Sequence, residues 1–531
     1  MPPMTDAPSS PAPTGRSQVL RAAQIVSVAF ILSRLLGLLR DIVIANAFGA
    51  TDVAINAYRL ANRFPETLFF IVAGGALSSA FIPVFSGYFA RDDAAGGWRL
   101  FSIVLNLVLI VLMITSAIVA IFAEPFLLIY LPDLAEEPAL MAETVVLLRI
   151  LLLSTVIFGA SGIVMAALNA RQHFLLPALA PSIYNVGIIA GALVAPLGLG
   201  IRALAWGAVA GAAGHLLVQL PGLRRHRAVY SPALTLRYPG VRQVLRLMAP
   251  RVLGLSFSQI NNLLIPVLAQ SLFVVAAVDY AWRIVLMPHG ILGQAMGIAA
   301  FPTFATLAAQ MDLPQMRRIL VETLRLILFL ALPTTALMMA LSMPLVTLAF
   351  ERGAFSATDT ELVAWALLWY APGLVGLAGL EVVSRAFYAL EDTVTPLLAG
   401  GAQLAAMVIL ALFFSRWLFP RLGWDGTGGL ALGISLSNLL ETTFLLWLLG
   451  RRLQGIEGGA LWSGTWRMVL AAALMAGTAV GVASLVPGSL WQLLLGALSG
   501  GVVYLLVVWL LRVDELLQLW AYARRRTGRA A

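Results

Sequence analysis

The sequence predicts an all-α membrane protein with about fourteen transmembrane helices. Of its 531 residues, 60% are hydrophobic and only 11% are charged, a composition that soluble globular proteins do not have. Unbroken apolar stretches of about 20 residues, the length that a helix needs to cross a bilayer, recur along the chain. A membrane β-barrel would instead show alternating segments of about ten residues, so the helical class is favoured.

The apolar stretches define fourteen predicted spans. Their approximate limits are 22–48, 53–88, 99–130, 139–170, 174–197, 202–222, 241–271, 274–309, 316–349, 360–390, 394–418, 427–450, 464–486 and 489–511. Several are longer than a bilayer requires, which predicts tilt or extension into water. An even number of spans places both termini on the same side of the membrane.

Arginine is concentrated in alternate connections between these spans, above all in 223–240 and after 523. The intervening connections, such as 131–138 and 351–361, contain acids and little arginine. Because connections rich in arginine face the cytoplasm, both termini are predicted to be cytoplasmic. The net charge of +9 follows from this asymmetry, so it does not indicate a nucleic-acid partner.

Short motifs recur at nearly constant spacing. Pro83 lies 219 positions before Pro302, and Pro177 lies 219 positions before Pro396, each within similar local sequence. This repetition predicts two homologous six-helix bundles related by a pseudo-twofold axis, as in transporters built from parallel repeats. The predicted organisation is a disordered cytoplasmic tail (1–18), an N-terminal bundle (19–222), a cytoplasmic linker (223–240), a C-terminal bundle (241–452), two extra transmembrane helices (453–512) and a basic cytoplasmic tail (513–531).

Several arginines interrupt the predicted spans. A charge at bilayer depth costs at least about 2.5 kcal/mol, so it normally faces a partner or a water-filled cavity. Arg34 and Arg40 lie in the first span, Arg59 and Arg63 share one face of the second, and Arg283 lies in the eighth. Guanidinium groups suit a phosphate because they are planar, always charged and bidentate. A convergence of these side chains would form a cavity for an anionic head group.

Simpler structural roles are also open for two of these arginines. Arg40 precedes Asp41 near the predicted outer end of its span, where an ion pair or interfacial placement of the side chain would explain both residues. Arg283 follows Asp279 by four residues, a spacing that allows an ion pair along one helix face.

The sequence contains no pattern typical of an enzyme. It has no cysteine, its four histidines lack metal-site spacing, and no nucleophile elbow or phosphate-binding glycine loop is present. No cofactor is predicted. Oxygen atoms of Asn262, Glu381 and Asn438 could contribute to a sodium site, or they could serve as hydrogen-bonded packing residues. A sodium ion and the membrane potential are therefore both candidate driving forces.

Five segments resemble the MurJ/MviN family of lipid II flippases, within the multidrug/oligosaccharidyl-lipid/polysaccharide exporter superfamily. These segments are SRLLGLLRDIVIANAFGATD at 33–52, GGALSSAFIPVF at 74–85, NARQHFLLPALAP at 169–181, PHGILGQAMGIAAFP at 288–302 and FYALEDTVTP at 387–396. The resemblance implies flipping of undecaprenyl-pyrophosphate-linked disaccharide–pentapeptide to the outer leaflet of the bacterial plasma membrane by alternating access. It also implies a role in peptidoglycan biosynthesis, contact with membrane lipids and an association with cell-wall synthesis proteins.

The resemblance also implies roles for individual residues. It assigns substrate binding to Arg34, Arg40 and Arg283, with Asp52 as a matching acid. The family's second span usually has an asparagine followed by two arginines. Here Asn62-Arg63 is followed by Phe-Pro, so Arg59 or Arg63 replaces the missing pair.

Two other functions remain open. One is export of a different lipid-linked oligosaccharide or of drugs, although cationic drugs would require carboxylates where this chain has arginine. The other is a membrane scaffold that does not transport.

Overall fold

A computed structural model describes residues 15–71, 77–455 and 458–516. Within these ranges the chain is helical, with short 3₁₀- and π-helical turns and no β-strand. The α-helices are α1 (Gly15–Phe48), α2 (Val53–Ile71), α3 (Leu77–Phe89), α4 (Ala94–Ile121), α5 (Ala123–Tyr130), α6 (Pro138–Ala170), α7 (Leu175–Val194), α8 (Gly200–Leu217), α9 (Leu220–Arg225), α10 (Pro239–Leu268), α11 (Val275–His289), α12 (Met296–Ala309), α13 (Leu313–Ala340), α14 (Ser342–Phe350), α15 (Ala357–Tyr370), α16 (Gly373–Ala389), α17 (Val394–Leu412), α18 (Phe419–Arg421), α19 (Gly426–Arg452), α20 (Gly458–Leu485) and α21 (Ser489–Leu510).

The predicted all-helical membrane fold is confirmed. In the described residues, ten helices are long and apolar enough to cross a membrane, and the bent pair α15–α16 is an eleventh. These eleven coincide with eleven of the fourteen predicted spans. The other three, 22–48, 53–88 and 241–271, also fall on helices. These three carry several charges or include residues outside the described ranges. Length and apolar composition in the described residues therefore identify eleven of the fourteen predicted spans.

Contacts divide the chain into two compact units. Unit 1 consists of Met1–Ile44, Phe64–Ala123 and Val145–Leu255, and unit 2 of Ala45–Arg63, Glu124–Thr144 and Ser256–Ala531. Segments 45–63 and 124–144 of the predicted N-terminal bundle therefore group with unit 2, and the two-bundle division stays a prediction. Of the predicted tails, residues 1–14 and 517–531 lie outside the described residues, whereas residues 15–18 already belong to α1.

Aromatic side chains build much of the core of unit 1. Phe81 and Phe85 on α3 stack on each other, and Phe85 meets the edge of Trp98 on α4. All three side chains are buried, together with Val164 on α6. Rings packed in this way bury large apolar areas, which fixes α3 and α4 against α6.

The helices α7 and α8 approach each other through glycines. Gly187 and Gly191 lie four residues apart on α7, and Gly207 and Gly211 lie four apart on α8, so each pair shares one helix face. A Cβ at Gly187 would lie only 2.4 Å from the Cα of Gly211. Small residues that permit such close backbone contact are the usual basis of helix association in lipid.

We expect Gly207→Ala to destabilise unit 1. The new Cβ would lie 2.7 Å from both the Cα of Gly191 and the carbonyl oxygen of Gly187, and overpacking of this kind costs about 1–3 kcal/mol. The matched control is Gly401→Ala on α17, where a Cβ meets nothing within 4 Å. Thermal unfolding in detergent should separate the two variants, and equal melting temperatures would contradict the close packing.

The core of unit 2 lies among α12, α13, α16 and α19, where Phe304, Leu324, Val382 and Leu445 are buried. The two C-terminal helices pack onto α13. The hydroxyl of Tyr504 on α21 donates to the carbonyl oxygen of Phe329 at 2.8 Å, so a polar group in the apolar interface is satisfied.

Candidate functional site

Two arginines of α2 share one aspartate of α11 inside unit 2. Nη2 of Arg63 lies 2.5 Å from Oδ1 of Asp279, and Nε of Arg59 lies 4.0 Å from Oδ2 of the same carboxylate. Arg59 is 6% exposed and Arg63 9% exposed. Both guanidinium groups therefore point to one carboxylate, as their spacing of four residues on a helix requires.

An aromatic ring also packs against the guanidinium group of Arg59. Its guanidinium carbon lies 5.0 Å from the ring centre of Tyr280, and Tyr280 is fully buried against Phe350 and Phe355. A desolvated guanidinium group is attracted to the face of a ring by about 2 kcal/mol. Burial of Arg59 is thus stabilised by a carboxylate and a ring together.

Arg283 lies one turn beyond Asp279 on α11 and is half-buried. Residues four apart project from the same helix face, so Arg283 belongs to the same region of unit 2 as the pair on α2. The carboxylate that sequence spacing paired with Arg283 also holds Arg63 and Arg59. The structure therefore places Arg63 and Arg59 at Asp279, and helix spacing places Arg283 on the same face of α11 as that carboxylate.

A buried asparagine fixes α2 against the start of α11. Asn56 is fully buried, and its Nδ2 donates to the carbonyl oxygens of Ala50 and Asp52, both at 3.0 Å. Its Oδ1 accepts from the backbone amide of Ala276 at 2.9 Å. Asn56 lies three residues before Arg59 and Ala276 three before Asp279, so this bridge sets the register in which the charged groups meet.

Within unit 1, Arg40 is bound by its neighbours. Nη2 of Arg40 lies 3.1 Å from Oδ1 of Asp41, and Nη1 donates to Oδ1 of Asn185 on α7 at 3.0 Å. Nδ2 of Asn185 donates in turn to the carbonyl oxygen of Ser33. The Arg40–Asp41 ion pair that the sequence allows is therefore present, and the substrate-binding role of Arg40 stays a prediction. Arg34, on the same helix, is exposed.

Asp52 begins α2 as its N-terminal cap. Its carboxylate accepts from the backbone amide of Ala54 at 2.7 Å, and the residue is exposed. Such caps stabilise helices by about 1 kcal/mol. Asn62 lies between Arg59 and Arg63 on α2 and is half-buried.

Comparison with known proteins identifies the family. The family model of the lipid II flippase MurJ matches residues 44–498. The chain belongs to this family. It is 31% identical over 446 residues to the lipid II flippase MurJ of Burkholderia cenocepacia, across 82% of this chain and 84% of that protein. It is also 31% identical over 510 residues to the probable lipid II flippase MurJ of Synechocystis, across 90% and 89%.

Two solved structures share the fold. A structure titled lipid II flippase MurJ in the inward closed conformation superposes with a TM-score of 0.75 at 24% identity, covering 91% of this chain and 97% of that one. An inward-facing multidrug resistance transporter of the MATE family has a TM-score of 0.66 at 16% identity, covering 82% and 98%. These likenesses concern the fold alone, and they agree with the predicted class of polytopic helical transporters.

This MurJ-family protein has a second charged cluster in unit 2. Glu381 on α16 accepts from Arg385, one turn further along, and Oε1 of Glu381 lies 3.5 Å from Nε2 of the buried His289. A π-helical turn, Gly290–Ala295, follows His289 directly, and such turns are frequent at functional sites. A cation bound at Glu381 would compete with the guanidinium group of Arg385.

The other two residues of the predicted sodium site lie on different helices. Asn438 on α19 is buried, and its Oδ1 accepts from Nε2 of Gln403 at 3.4 Å. Asn262 on α10 is half-buried. Among the residues that the structure describes, no three carboxylate or imidazole groups gather as metal ligands do. The sodium site stays a prediction.

Three residues that organise these clusters are not among the predicted site residues. The sequence predicts Asp279 only as a partner of Arg283, and it does not single out Asn56 or Asn185. The spacing of Asp279 from Arg283 was a usable signal. A single asparagine in an apolar helix gives no such signal, because its partners lie far away in sequence.

Proposed function

We propose that this protein is a lipid II flippase, which moves undecaprenyl-pyrophosphate-linked peptidoglycan precursor from the inner to the outer leaflet by alternating access. The observation that carries the proposal is the match of the MurJ family model to residues 44–498. The embedded arginine cluster of unit 2 agrees with it, because a flippase for this substrate must receive a pyrophosphate inside the membrane.

The cluster around Asp279 has the charge and geometry for a pyrophosphate. Guanidinium groups on α2 and α11 suit the roughly two negative charges of the head group, because they bind phosphate oxygens in bidentate fashion. Arg59 and Arg63 are oriented in advance by Asp279, so little side-chain freedom is lost when an anion binds. We propose that Arg59, Arg63 and Arg283 bind the phosphate oxygens, with Asp279 as the counter-ion in the unloaded protein.

The unit 1 arginines have different proposed roles. Arg34 is exposed on its helix and is proposed to contact the head group, whereas Arg40 is bound to Asp41 and Asn185. We therefore assign Arg40 to positioning α1 against α7 rather than to holding the substrate.

An inside-negative membrane potential favours outward movement of an anion. Moving one charge through 100 mV is worth about 2.3 kcal/mol, so two charges gain about 5 kcal/mol. The membrane potential is therefore the proposed driving force, and coupling to sodium would add to it.

The proposed location is the bacterial plasma membrane, with the arginine-rich connections and both termini in the cytoplasm. The native chain has no cysteine, so a single introduced cysteine reports its own side. We expect Arg237→Cys to react with an impermeant maleimide only after cells are permeabilised. Asp133→Cys, in the acidic connection 131–138, should react in intact cells. The reverse labelling pattern would refute the orientation.

Complementation tests the proposed function. The wild-type chain should restore growth to a bacterium depleted of its own lipid II flippase, and it should restore lipid II at the outer leaflet. Failure at normal membrane levels would favour another lipid-linked oligosaccharide, a drug, or a scaffold role without transport.

A further inference from the structure

Unit 1 contains a basic cavity of about 800 Å³ that is built separately from the Asp279 cluster. It lies between the start of α4 and the segment 226–233 that follows α9. Basic and aromatic side chains line it together: Arg99, Arg171, His226, Arg227, Phe89 and Trp98. Such a lining suits a ligand that is both anionic and partly apolar.

The arginines of this cavity form no ion pair in the described part of the chain, where the ion pairs within 4.0 Å involve other residues. The nearby carboxylate of Asp93 caps α4 by accepting from the backbone amide of Gly96 at 2.8 Å. The guanidinium carbon of Arg171 lies 4.1 Å from the ring centre of Phe89, and that of Arg99 lies 5.7 Å from the ring centre of Tyr238. A ring face orients a guanidinium group but leaves its N–H groups available to an anion.

Buried polar atoms without protein partners gather at the same place. They are Nε of Arg171, Nε2 of His226 and Oγ of Ser231, all on residues that line the cavity. Nε2 of His173 is a fourth, and its ring meets that of His226 edge to face at 5.7 Å. Native proteins keep few such atoms because each one is costly. Their clustering indicates a ligand rich in hydrogen-bond acceptors.

An apolar crevice of about 190 Å³ lies further along α4. Val104, Val111 and Leu245 belong to its lining. Leu236 in the lining of the crevice follows Ala233 in the lining of the cavity by three residues. Val111 and Leu245 are 59% and 44% exposed, so the crevice opens to the surface of the unit. A charged cavity next to an apolar crevice matches the phosphate and acyl chain of a phospholipid.

We propose that the cavity lined by Arg99, Arg171 and Arg227 binds the phosphate group of an anionic membrane phospholipid, with an acyl chain in the apolar crevice. The guanidinium groups bind the phosphate oxygens in bidentate fashion. The imidazoles of His173 and His226 donate hydrogen bonds to the same phosphate group. This inference does not depend on the proposed transport function.

The conformation of Arg227 offers a substitution that spares the fold. Its φ of 52° lies in the left-handed region, and the following amide, of Ala228, donates to the carbonyl oxygen of Leu223 at 3.0 Å. Glycine is the preferred residue at this position of a helix end. Arg227→Gly therefore removes a guanidinium group and keeps the end of α9 intact.

Binding to purified full-length protein in an uncharged detergent tests the proposal. Short-chain phosphatidylglycerol, titrated by calorimetry, should saturate the wild type. Arg171→Gln combined with Arg227→Gly should weaken binding at least about tenfold, which is about 1.4 kcal/mol. The matched control Arg237→Gln removes an exposed charge from the same connection and should stay within about twofold.

Three outcomes would overturn the proposal: no saturable binding to the wild type, equal weakening by Arg237→Gln, or equally tight binding of diacylglycerol with the same chains. Binding of inorganic phosphate is measured in the same way, to separate a lipid from free phosphate as the source of the phosphate group. Weaker binding of inorganic phosphate than of phosphatidylglycerol supports the lipid as the source. Equal binding would overturn the lipid assignment and leave a site for free phosphate.

Histidine titration gives a second readout. Burial and then the charges of Arg171, His173 and Arg225 lower the pKa of His226, and burial and then Arg225 lower the pKa of His173. Both are therefore neutral at pH 7.5 in the free protein. The other charged groups facing them are Arg99 on α4 and Arg227 after α9.

A bound anion favours the charged imidazoles and raises both pKa values, so lipid binding should tighten as the pH falls from 7.5 to 6. The phosphodiester itself does not titrate in this interval. Replacing His173 and His226 by glutamine should abolish this slope, and an unchanged slope would contradict their contact with the phosphate.

Discussion

Arg283→Ala is expected to reduce complementation of a flippase-depleted bacterium to the level of an empty vector. The substitution removes one of the three guanidinium groups that we propose to bind the pyrophosphate. Loss of one partner of a desolvated charge pair costs about 3 kcal/mol, or roughly 100-fold in affinity. Arg283→Lys keeps the charge without the bidentate geometry and should be partly active. Colony counts, with membrane levels measured in parallel, check both variants.

The matched control for Arg283 is Arg318→Ala. Arg318 is exposed on α13, where it pairs with Glu322, and exposed pairs contribute about 0–1 kcal/mol. Its loss should leave growth unchanged. Equal growth of the Arg283→Ala and Arg318→Ala strains, at equal membrane levels, would remove Arg283 from the proposed substrate-binding residues.

Asp279→Asn should cause the second large effect, a loss of folded protein. It removes the carboxylate that Arg59 and Arg63 share, and both arginines are buried. Removing one partner of a buried ion pair costs about 3–5 kcal/mol. We therefore expect a lower melting temperature in detergent and a smaller folded fraction after extraction.

A second substitution separates this explanation from a general loss of packing. Arg63→Gln added to Asp279→Asn removes one of the two buried positive charges next to the lost carboxylate, so it should recover part of the lost stability. Glu322→Gln, which breaks the exposed Arg318 pair, should change stability by less than about 1 kcal/mol. A double variant no more stable than Asp279→Asn alone would mean that loss of the Arg63–Asp279 ion pair is not the cause.

Hydropathy located eleven spans correctly. Within a bilayer, backbone N–H and C=O groups must form hydrogen bonds inside the protein, so a long apolar segment forms a helix. The three predicted spans that composition does not identify contain Arg34, Arg59 or Arg246 among their charges. Charges inside a span reduce the apolar signal that reveals it, so these helices required evidence beyond apolar length.

The candidate site was predictable only where helix periodicity governs it. The shared face of Arg59 and Arg63 and the spacing of Asp279 from Arg283 follow from 3.6 residues per turn. The contact between Arg63 and Asp279 joins residues 216 positions apart, and the Arg40–Asn185 contact spans 145 positions. Packing decides such pairs, and a single sequence carries no direct record of packing.

The close contact of α7 and α8 through their glycines has a mechanical consequence for unit 1. Its contacts join backbone to backbone, and backbone atoms have no rotamers that could absorb a displacement. Sliding one helix along the other would press the carbonyl oxygen of Ala203 or of Gly207 into the facing chain. We therefore expect α7 and α8 to move together as one rigid unit. Any displacement should be taken up in the connections at their outer ends and not between the two helices.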